Sequence, residues 1–196
     1  MPLKFNTGNS IGLLGGTFDP IHLGHLHVVE QLAPKFDQIA LIPTGNPWMK
    51  PEHPIATPKQ RLEMCELALQ DLPTELEDKV FVLDIEVQKD RPSYTFDTLQ
   101  SLRAFFPRDK FTLILGTDAA ASFNKWKRPD DIKKMAEILV VKRPGAKASE
   151  FKEIEIKALD VSSTQIRQEL REKGSSELIP KSVAKYIESN GIYGSK

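Results

Sequence analysis

The sequence predicts an α/β fold built on a doubly wound parallel sheet, and two features of its apolar pattern carry that prediction. Short apolar or β-branched runs, each typical of a buried strand, recur along the chain. Longer amphipathic stretches, typical of helices, separate them, and strands joined by helices form right-handed crossovers in a parallel sheet. The five runs lie at residues 11–14, 39–42, 80–83, 111–115 and 138–141.

The amphipathic stretches complete the expected order of elements. Helices are predicted at residues 26–32, 58–69, 94–106 and 130–136. Beyond them, a further strand at 154–156, a helix from about 161 to 174 and a last helix at 179–187 are expected to form a small C-terminal helical extension. With 196 residues, the chain is expected to form a single domain, residues 1–196, with residues from about 150 onward as a helical cap.

Composition and charge restrict the class of function. The 27 basic residues balance 27 acidic ones, so nothing in the charge indicates a nucleic-acid or membrane partner. The single cysteine, Cys65, excludes an internal disulfide and lies in a helical pattern where burial is its simplest role. The amino-terminal residues lack the apolar region of a signal peptide, so a cytoplasmic location is expected.

A glycine turn joins the first predicted strand to the first predicted helix. Gly15 and Gly16 follow the apolar run, and glycine lets the backbone approach an anion closely. The amide groups at the start of the following helix also favour negative charge. The segment predicts a phosphate site, although two glycines after a strand can also form a simple turn.

Two histidines follow this turn at helical spacing. His22 and His25 are three residues apart, so they share one face of a helix, whereas His27 points away from that face. A metal site would need more ligands than Asp19 alone adds nearby. The pair is better suited to donating hydrogen bonds to phosphate oxygens, while surface or packing roles are expected for His27 and His53.

Residues 161–167 form a second candidate anion site at a helix start. Ser162 and Gln165 have the spacing of a capping box, which is the simpler interpretation. In the functional interpretation, the hydroxyl and amide groups there join Arg167 to hold the outer phosphates of a triphosphate.

Two further residues are candidates for contacts with a nucleotide. Asp118, just after a predicted strand and Gly116, either accepts hydrogen bonds from a ribose or base or caps the next helix. Trp126 lies in a polar segment, an unusual setting for a core residue, and its ring is suited to stacking on a heterocycle.

The run at residues 15–26 resembles the G-G-T-F-D-P-x-H-x-G-H signature of bacterial nicotinate mononucleotide adenylyltransferases, whose H-x-G-H core is shared across the nucleotidylyltransferase superfamily. Four more motifs resemble that family in order: P-S-Y-T-x-x-T-L at 92–99, G-x-D followed by tryptophan at 116–126, V-x-x-R-P-G at 140–145, and I-S-S-T-x-I-R at 161–167, with Val161 in first place. The resemblance spans residues 11–193.

The resemblance implies a Rossmann-like fold and transfer of the adenylyl group of ATP to nicotinate mononucleotide, with Mg2+ accompanying ATP as in other phosphoryl transfers. It implies catalytic roles for His22, His25 and Arg167, and a substrate-binding group of Lys50, Tyr94, Thr95 and Trp126. No residue is assigned as a metal ligand, and homo-oligomer formation is left open. The nucleotide-binding group would be Gly15, Gly16, Thr17, Phe18, Gly116, Asp118, Arg143, Ser163 and Thr164.

The sequence departs from the family pattern at two places. Trp48 and Met49 stand where the family often has Pro and His, which affects the assignment of Lys50, and the segment at 145–161 is short. The remaining alternatives are an adenylyltransferase preferring nicotinamide mononucleotide or phosphopantetheine, and a non-catalytic ATP-binding module.

Overall fold

A computed structural model of the chain describes residues 8–48, 53–142, 149–156, 159 and 161–194. Six strands form one sheet in the order β3-β2-β1-β4-β5-β6, and every neighbouring pair is parallel. The strands are β1 (Ser10–Gly16), β2 (Gln38–Pro43), β3 (Val80–Val82), β4 (Lys110–Gly116), β5 (Glu137–Lys142) and β6 (Lys152–Glu155).

Helices cover both faces of this sheet. They are α1 (Leu23–Leu32), α2 (Pro58–Ala68), α3 (Thr95–Phe105), α4 (Thr117–Ala121), α5 (Pro129–Met135), α6 (Ser163–Lys173) and α7 (Lys181–Ser189). Apolar side chains of α1, α2, α6 and α7 pack on one face, and those of α3 and α5 pack on the other. Within the described part of the chain, no helix is long and apolar enough to cross a membrane.

Side chains alternate between the two cores along each central strand. Leu14 of β1 belongs to the core that α1 and α6 cover, whereas its neighbour Leu13 belongs to the core that α3 covers. A strand buried on both faces has apolar residues at successive positions, which is why the predicted strands were continuous apolar runs. The doubly wound fold is therefore confirmed.

The predicted elements agree with the structure, with small shifts at their ends. Helix α1 begins at Leu23, three residues before the apolar pattern, because His22 acts as its N-cap. The run predicted at 154–156 is β6, and it joins the edge of the main sheet, so the chain after residue 150 is not helical throughout. Cys65 is fully buried on α2, as expected, and burial raises the pKa of its thiol.

The strand order places a crevice between β1 and β4. From β1 the chain passes outward to β2 and β3, whereas β4, β5 and β6 extend the sheet on the other side. Loops leaving the carboxyl ends of β1 and β4 therefore diverge, and ligands of such sheets bind at this switch point. Gly15 and Gly16 are the last two residues of β1, the rest of the predicted glycine turn follows at residues 17–22, and α4 follows β4.

Candidate active site

A cleft of about 710 Å3 opens at this switch point. The glycine turn and α1 contribute to its lining, together with the starts of α3 and α4. Sequence motifs that are far apart in the chain thus meet in one cavity. Ten of the predicted site residues line it: Gly15, Gly16, Thr17, His22, His25, Tyr94, Thr95, Gly116, Asp118 and Trp126.

The two histidines form a stacked pair in the cleft. Their ring centroids lie 3.7 Å apart, with an interplanar angle of 22°. The backbone amide of His22 donates to Nδ1 of His25 at 3.3 Å. A neutral imidazole that accepts at one nitrogen carries its proton on the other, so His25 presents Nε2–H as a donor.

Gly24 allows this stacking. A Cβ at Gly24 would lie 3.0 Å from Nδ1 of His22, closer than most side chains tolerate. The residue just before His25 is therefore glycine for a steric reason, which accounts for the glycine of the H-x-G-H motif. The buried ring of Phe18 supports the pair, because it packs edge-on against the ring of His25 with the ring centroids 4.9 Å apart.

A fully buried arginine on α2 supports the glycine turn. Arg61 donates to the backbone carbonyls of Thr17 at 2.7 Å, Gly45 at 2.8 Å and Ala56 at 3.2 Å. Burial lowers the pKa of its guanidinium, and the carboxylate of Asp19 opposes that shift. Sequence reasoning missed Arg61, although it shares a helix face with Met64, Cys65 and Ala68, where a charge is unexpected.

Asp19 ties the end of the glycine turn to two distant segments. Its carboxylate accepts from the backbone amides of Ile55 at 2.9 Å and Ala56 at 3.0 Å. It also accepts from the hydroxyl of Tyr193 at 2.7 Å, near the end of the chain. Burial, with Asp19 beside it, raises the pKa of the Tyr193 phenol. The carboxylate is thus a structural acceptor.

The start of α6 is attached to the same turn. The Ser163 hydroxyl donates to the Pro20 carbonyl at 3.0 Å, and Arg167 donates to the Asp19 carbonyl at 2.8 Å and to the Thr164 hydroxyl at 3.3 Å. These three residues, like Phe18, do not line the cleft. The simpler capping interpretation also holds, because Ser162 accepts from the Gln165 amide at 3.2 Å.

An aromatic group forms the other wall of the cleft. Trp126 packs against Phe123 with ring centroids 5.2 Å apart. Its indole N–H is buried and has no hydrogen-bond partner among the described residues. Tyr94, just before α3, packs against Trp48 with ring centroids 5.3 Å apart and planes tilted by 50°, and it lies under the ammonium of Lys127 at 4.5 Å. This wall can take a flat heterocycle beside a cation.

Glu86 places a buried carboxyl group at the base of this wall. It lines the cleft, accepts from the Thr98 hydroxyl at 2.8 Å, and has a pKa that burial raises. Ser93, another residue at this wall, accepts from the Gly45 amide at 3.1 Å. Sequence reasoning missed Glu86, which lies in an irregular segment without a spacing pattern.

Two predicted site residues cannot be placed in the structure. Lys50 and Arg143 lie outside the described residues. Across the described ranges, no group of three or more His, Cys, Asp or Glu side chains could hold a metal ion.

The fold and the cleft define an enzyme of the nucleotidyltransferase class. The family described as cytidylyltransferase-like matches residues 13–169. Within this class, the chain belongs to the family of the nicotinate-nucleotide adenylyltransferases. It is 34% identical to the nicotinate-nucleotide adenylyltransferase of Bacillus subtilis over 192 residues, which cover 94% of this chain and 98% of that protein.

Other relatives agree in sequence or in fold. A probable nicotinate-nucleotide adenylyltransferase of Bacillus pumilus is 37% identical, over 94% of this chain and 98% of its own length. The nicotinic acid mononucleotide adenylyltransferase of Plasmodium falciparum, solved with NaAD, superposes with a TM-score of 0.82 at 20% identity, covering 95% of this chain and 98% of that one. The second comparison concerns the fold alone.

Proposed function

We propose that the protein transfers the adenylyl group of ATP to nicotinate mononucleotide, giving nicotinate adenine dinucleotide and pyrophosphate in NAD biosynthesis. The observation that carries the proposal is the single cleft in which a glycine turn with stacked histidines faces Trp126, Tyr94 and Thr95. One wall suits a triphosphate and the other a pyridine ring. The names of the relatives support this choice of substrates.

The reaction needs no general base. The 5'-phosphate of the mononucleotide is already an anion at neutral pH, so one of its oxygens can attack the α-phosphorus of ATP directly. A phosphorus–oxygen bond forms there while the bond to the β-phosphate oxygen breaks, and pyrophosphate leaves with its electron pair. Rate acceleration then comes from positioning and from stabilising charge on the phosphates.

The histidines and the turn supply donors for that charge. Nε2–H of His25, together with His22, is aimed at the phosphates of ATP in this proposal, with the backbone of Gly16, Thr17 and Phe18 near the reacting phosphorus. Gly116, at the end of β4, and Asp118, in the first turn of α4, are assigned to the ribose or base of the nucleotide.

Ser163, Thr164 and Arg167 are assigned to the outer phosphates. Their attachment to the loop at Asp19 and Pro20 keeps the start of α6 beside the turn, which supports this role. Lys50 and Arg143 stay in the proposal through the family motifs alone. Thr95 and Tyr94 would hold the pyridine carboxylate and ring.

Adenylyl transfer from ATP generally uses a divalent metal ion, and we infer that it is Mg2+. Since the described residues offer no cluster of their own, the ATP phosphates would supply most ligands, as is usual for this ion. When bound, it neutralises charge on the leaving pyrophosphate.

The proposal also includes a single catalytic domain over residues 1–196 and a cytoplasmic location, where both substrates are metabolites. It leaves homo-oligomer formation open.

Pyrophosphate release tests the proposal. Purified protein would be supplied with ATP and Mg2+, and separately with nicotinate mononucleotide, nicotinamide mononucleotide or phosphopantetheine. A strong preference for nicotinate mononucleotide is expected. Preference for another acceptor would reassign the substrate, and ATP binding without release from any acceptor would instead support a non-catalytic binding module.

A further inference from the structure

We propose that Arg61 is a positioning residue for the ATP phosphates, acting through the peptide that joins Thr17 to Phe18. The inference rests on the proposed function, because it assigns that peptide to the triphosphate site. Arg61 itself does not line the cleft. It is fully buried and contacts the Thr17 carbonyl from the protein interior.

The guanidinium holds three separate segments in one arrangement. Thr17 belongs to the glycine turn, Gly45 to the loop after β2, and Ala56 to the approach to α2. One planar, rigid group donates to a carbonyl of each, with distances of 2.7–3.2 Å. A lysine has a single flexible ammonium and cannot reproduce a fork of this geometry. The spacing of the three segments therefore depends on arginine.

The bond to Thr17 also sets the direction of a neighbouring donor. The Thr17 carbonyl and the Phe18 amide N–H belong to one trans peptide unit, so the two groups point in opposite directions. Because Arg61 holds the carbonyl from beneath, the Phe18 N–H points away from Arg61. Withdrawal of electron density by a charged donor at the carbonyl also strengthens that N–H as a donor.

The buried charge lies near a carboxylate that is held in place. Arg61 is fully buried, and the charge of Asp19, whose carboxylate also lies 3.8 Å from the Arg167 guanidinium, favours the charged form of Arg61. Asp19 is itself held by Tyr193 and by the amide of Ala56, a residue whose carbonyl Arg61 also binds. This closed network fixes the peptide before ATP arrives, which is what preorganisation of a phosphate site requires.

The chain offers a matched control in Arg103. It too donates to backbone carbonyls, those of Met135 and of Asp109 just before β4. It therefore acts at the amino end of the sheet, and it does not line the cleft. Arg61→Lys and Arg103→Lys each remove a guanidinium fork from backbone carbonyls, but only the first lies beneath the phosphate site.

The experiment compares both variants with the wild type for unfolding midpoint, affinity for ATP by calorimetry, and kcat with nicotinate mononucleotide. We expect the unfolding midpoints of both variants to fall. Only Arg61→Lys should also have a lower kcat, by about tenfold or more, and a weaker affinity for ATP, since small misplacements of catalytic groups cause losses of this size. Equal kcat and ATP affinity in Arg61→Lys and wild type would overturn the inference, as would equal losses in Arg103→Lys.

Two further measurements test the role of Arg61. If Arg61→Lys does not fold, the Phe18 amide resonance of the wild type is followed during ATP addition: a shift is expected, and an unmoved resonance overturns the inference. If the wild type binds ATP but turns over no acceptor, that result counts against the proposed function alone. The inference about Arg61 is then still tested by comparing the ATP affinities of Arg61→Lys and Arg103→Lys.

Discussion

The rings of His22 and His25 lie stacked with their centroids 3.7 Å apart. His22 precedes α1 and His25 lies in its first turn, so the stack brings two ring donors to the positive end of a helix. The His22 amide engages Nδ1 of His25 and leaves Nε2–H as the donor. The arrangement is suited to phosphate oxygens.

Replacing His25 by alanine should reduce catalysis far more than stability. The variant loses a donor aimed at charge that develops on the phosphates, so we expect kcat to fall by about 100-fold or more, as when other preorganised donors are removed. His25 is only partly buried, so the unfolding midpoint should change little. Steady-state kinetics and thermal unfolding measure the two effects.

His27→Ala is the matched control for this comparison. It removes an imidazole from the same helix, and His27 does not line the cleft. Its kcat should stay near that of the wild type. A normal turnover number in His25→Ala would remove His25 from the mechanism.

The spacing of apolar runs was sufficient to predict the sheet. Each central strand is buried on both faces, so burial alone produces a continuous apolar run such as residues 138–141. The three-residue spacing also predicted that the two histidines lie together, although the structure places His22 before α1, in extended backbone, and not on the helix face that carries His25. The spacing of the two histidines could not predict how their rings stack, because the stacking depends on the absence of a Cβ at Gly24.

Removing the Trp126 ring should weaken binding of the pyridine substrate selectively. Stacking on an aromatic ring contributes roughly 0.5–1.5 kcal/mol beyond area burial, so Trp126→Ala should raise KM for nicotinate mononucleotide by at least a few-fold. KM for ATP should change less. Phe105→Ala is the control, because Phe105 is an exposed aromatic residue outside the cleft. Equal rises in both KM values would contradict the assignment of Trp126.

Adding a methyl group at Gly15 should affect binding without affecting folding. A Cβ there meets nothing within 4 Å, and Gly15 lines the cleft, so the new group would occupy space meant for ligand. We expect Gly15→Ala to keep its unfolding midpoint and to bind ATP several-fold more weakly by calorimetry.

Gly45→Ala provides the opposite case. A Cβ at Gly45 would lie 2.2 Å from the carbonyl oxygen of Glu86, so this variant should lose stability. If Gly15→Ala bound ATP normally, the turn would not approach the phosphates as closely as we propose.

Replacing Arg167 by methionine should weaken both ATP binding and turnover. The variant loses the bond to the Asp19 carbonyl and a positive charge beside the turn. We expect a higher KM for ATP and a lower kcat, each by about tenfold, within the range for hydrogen bonds to charged groups. Arg171→Met, one turn further along α6 and exposed, should match the wild type in the same assay.

The residues that sequence reasoning missed share a physical cause. Arg61 and Glu86 are polar side chains that act within the protein interior, and most of their partners belong to other secondary-structure elements or loops. The three carbonyls bound by Arg61 are backbone atoms, which leave no trace in side-chain patterns. Only the position of Arg61 on an apolar helix face marked it as unusual. Glu86 carried no comparable signal.

Replacing Glu86 by glutamine should stabilise the protein increasingly as pH rises. Burial raises the pKa of Glu86 above its ordinary value of 4.5. Its stabilising contribution is therefore complete below the pKa of the unfolded chain and is lost as pH rises through the higher folded pKa. Glutamine does not ionise and can still accept from the Thr98 hydroxyl, so it avoids this loss.

The measurement is the difference in unfolding midpoint between Glu86→Gln and the wild type from pH 4.5 to 8. Other titrating groups are common to both proteins and largely cancel in that difference. The exposed Glu75→Gln variant controls for removal of one carboxyl group from the surface. A midpoint difference that grows in favour of Glu86→Gln with pH is expected. A difference that stays constant, or shifts towards the wild type, would mean that Glu86 ionises at no cost because the hydrogen bonds that Thr98 and Ser93 make to its carboxyl group fully compensate its burial.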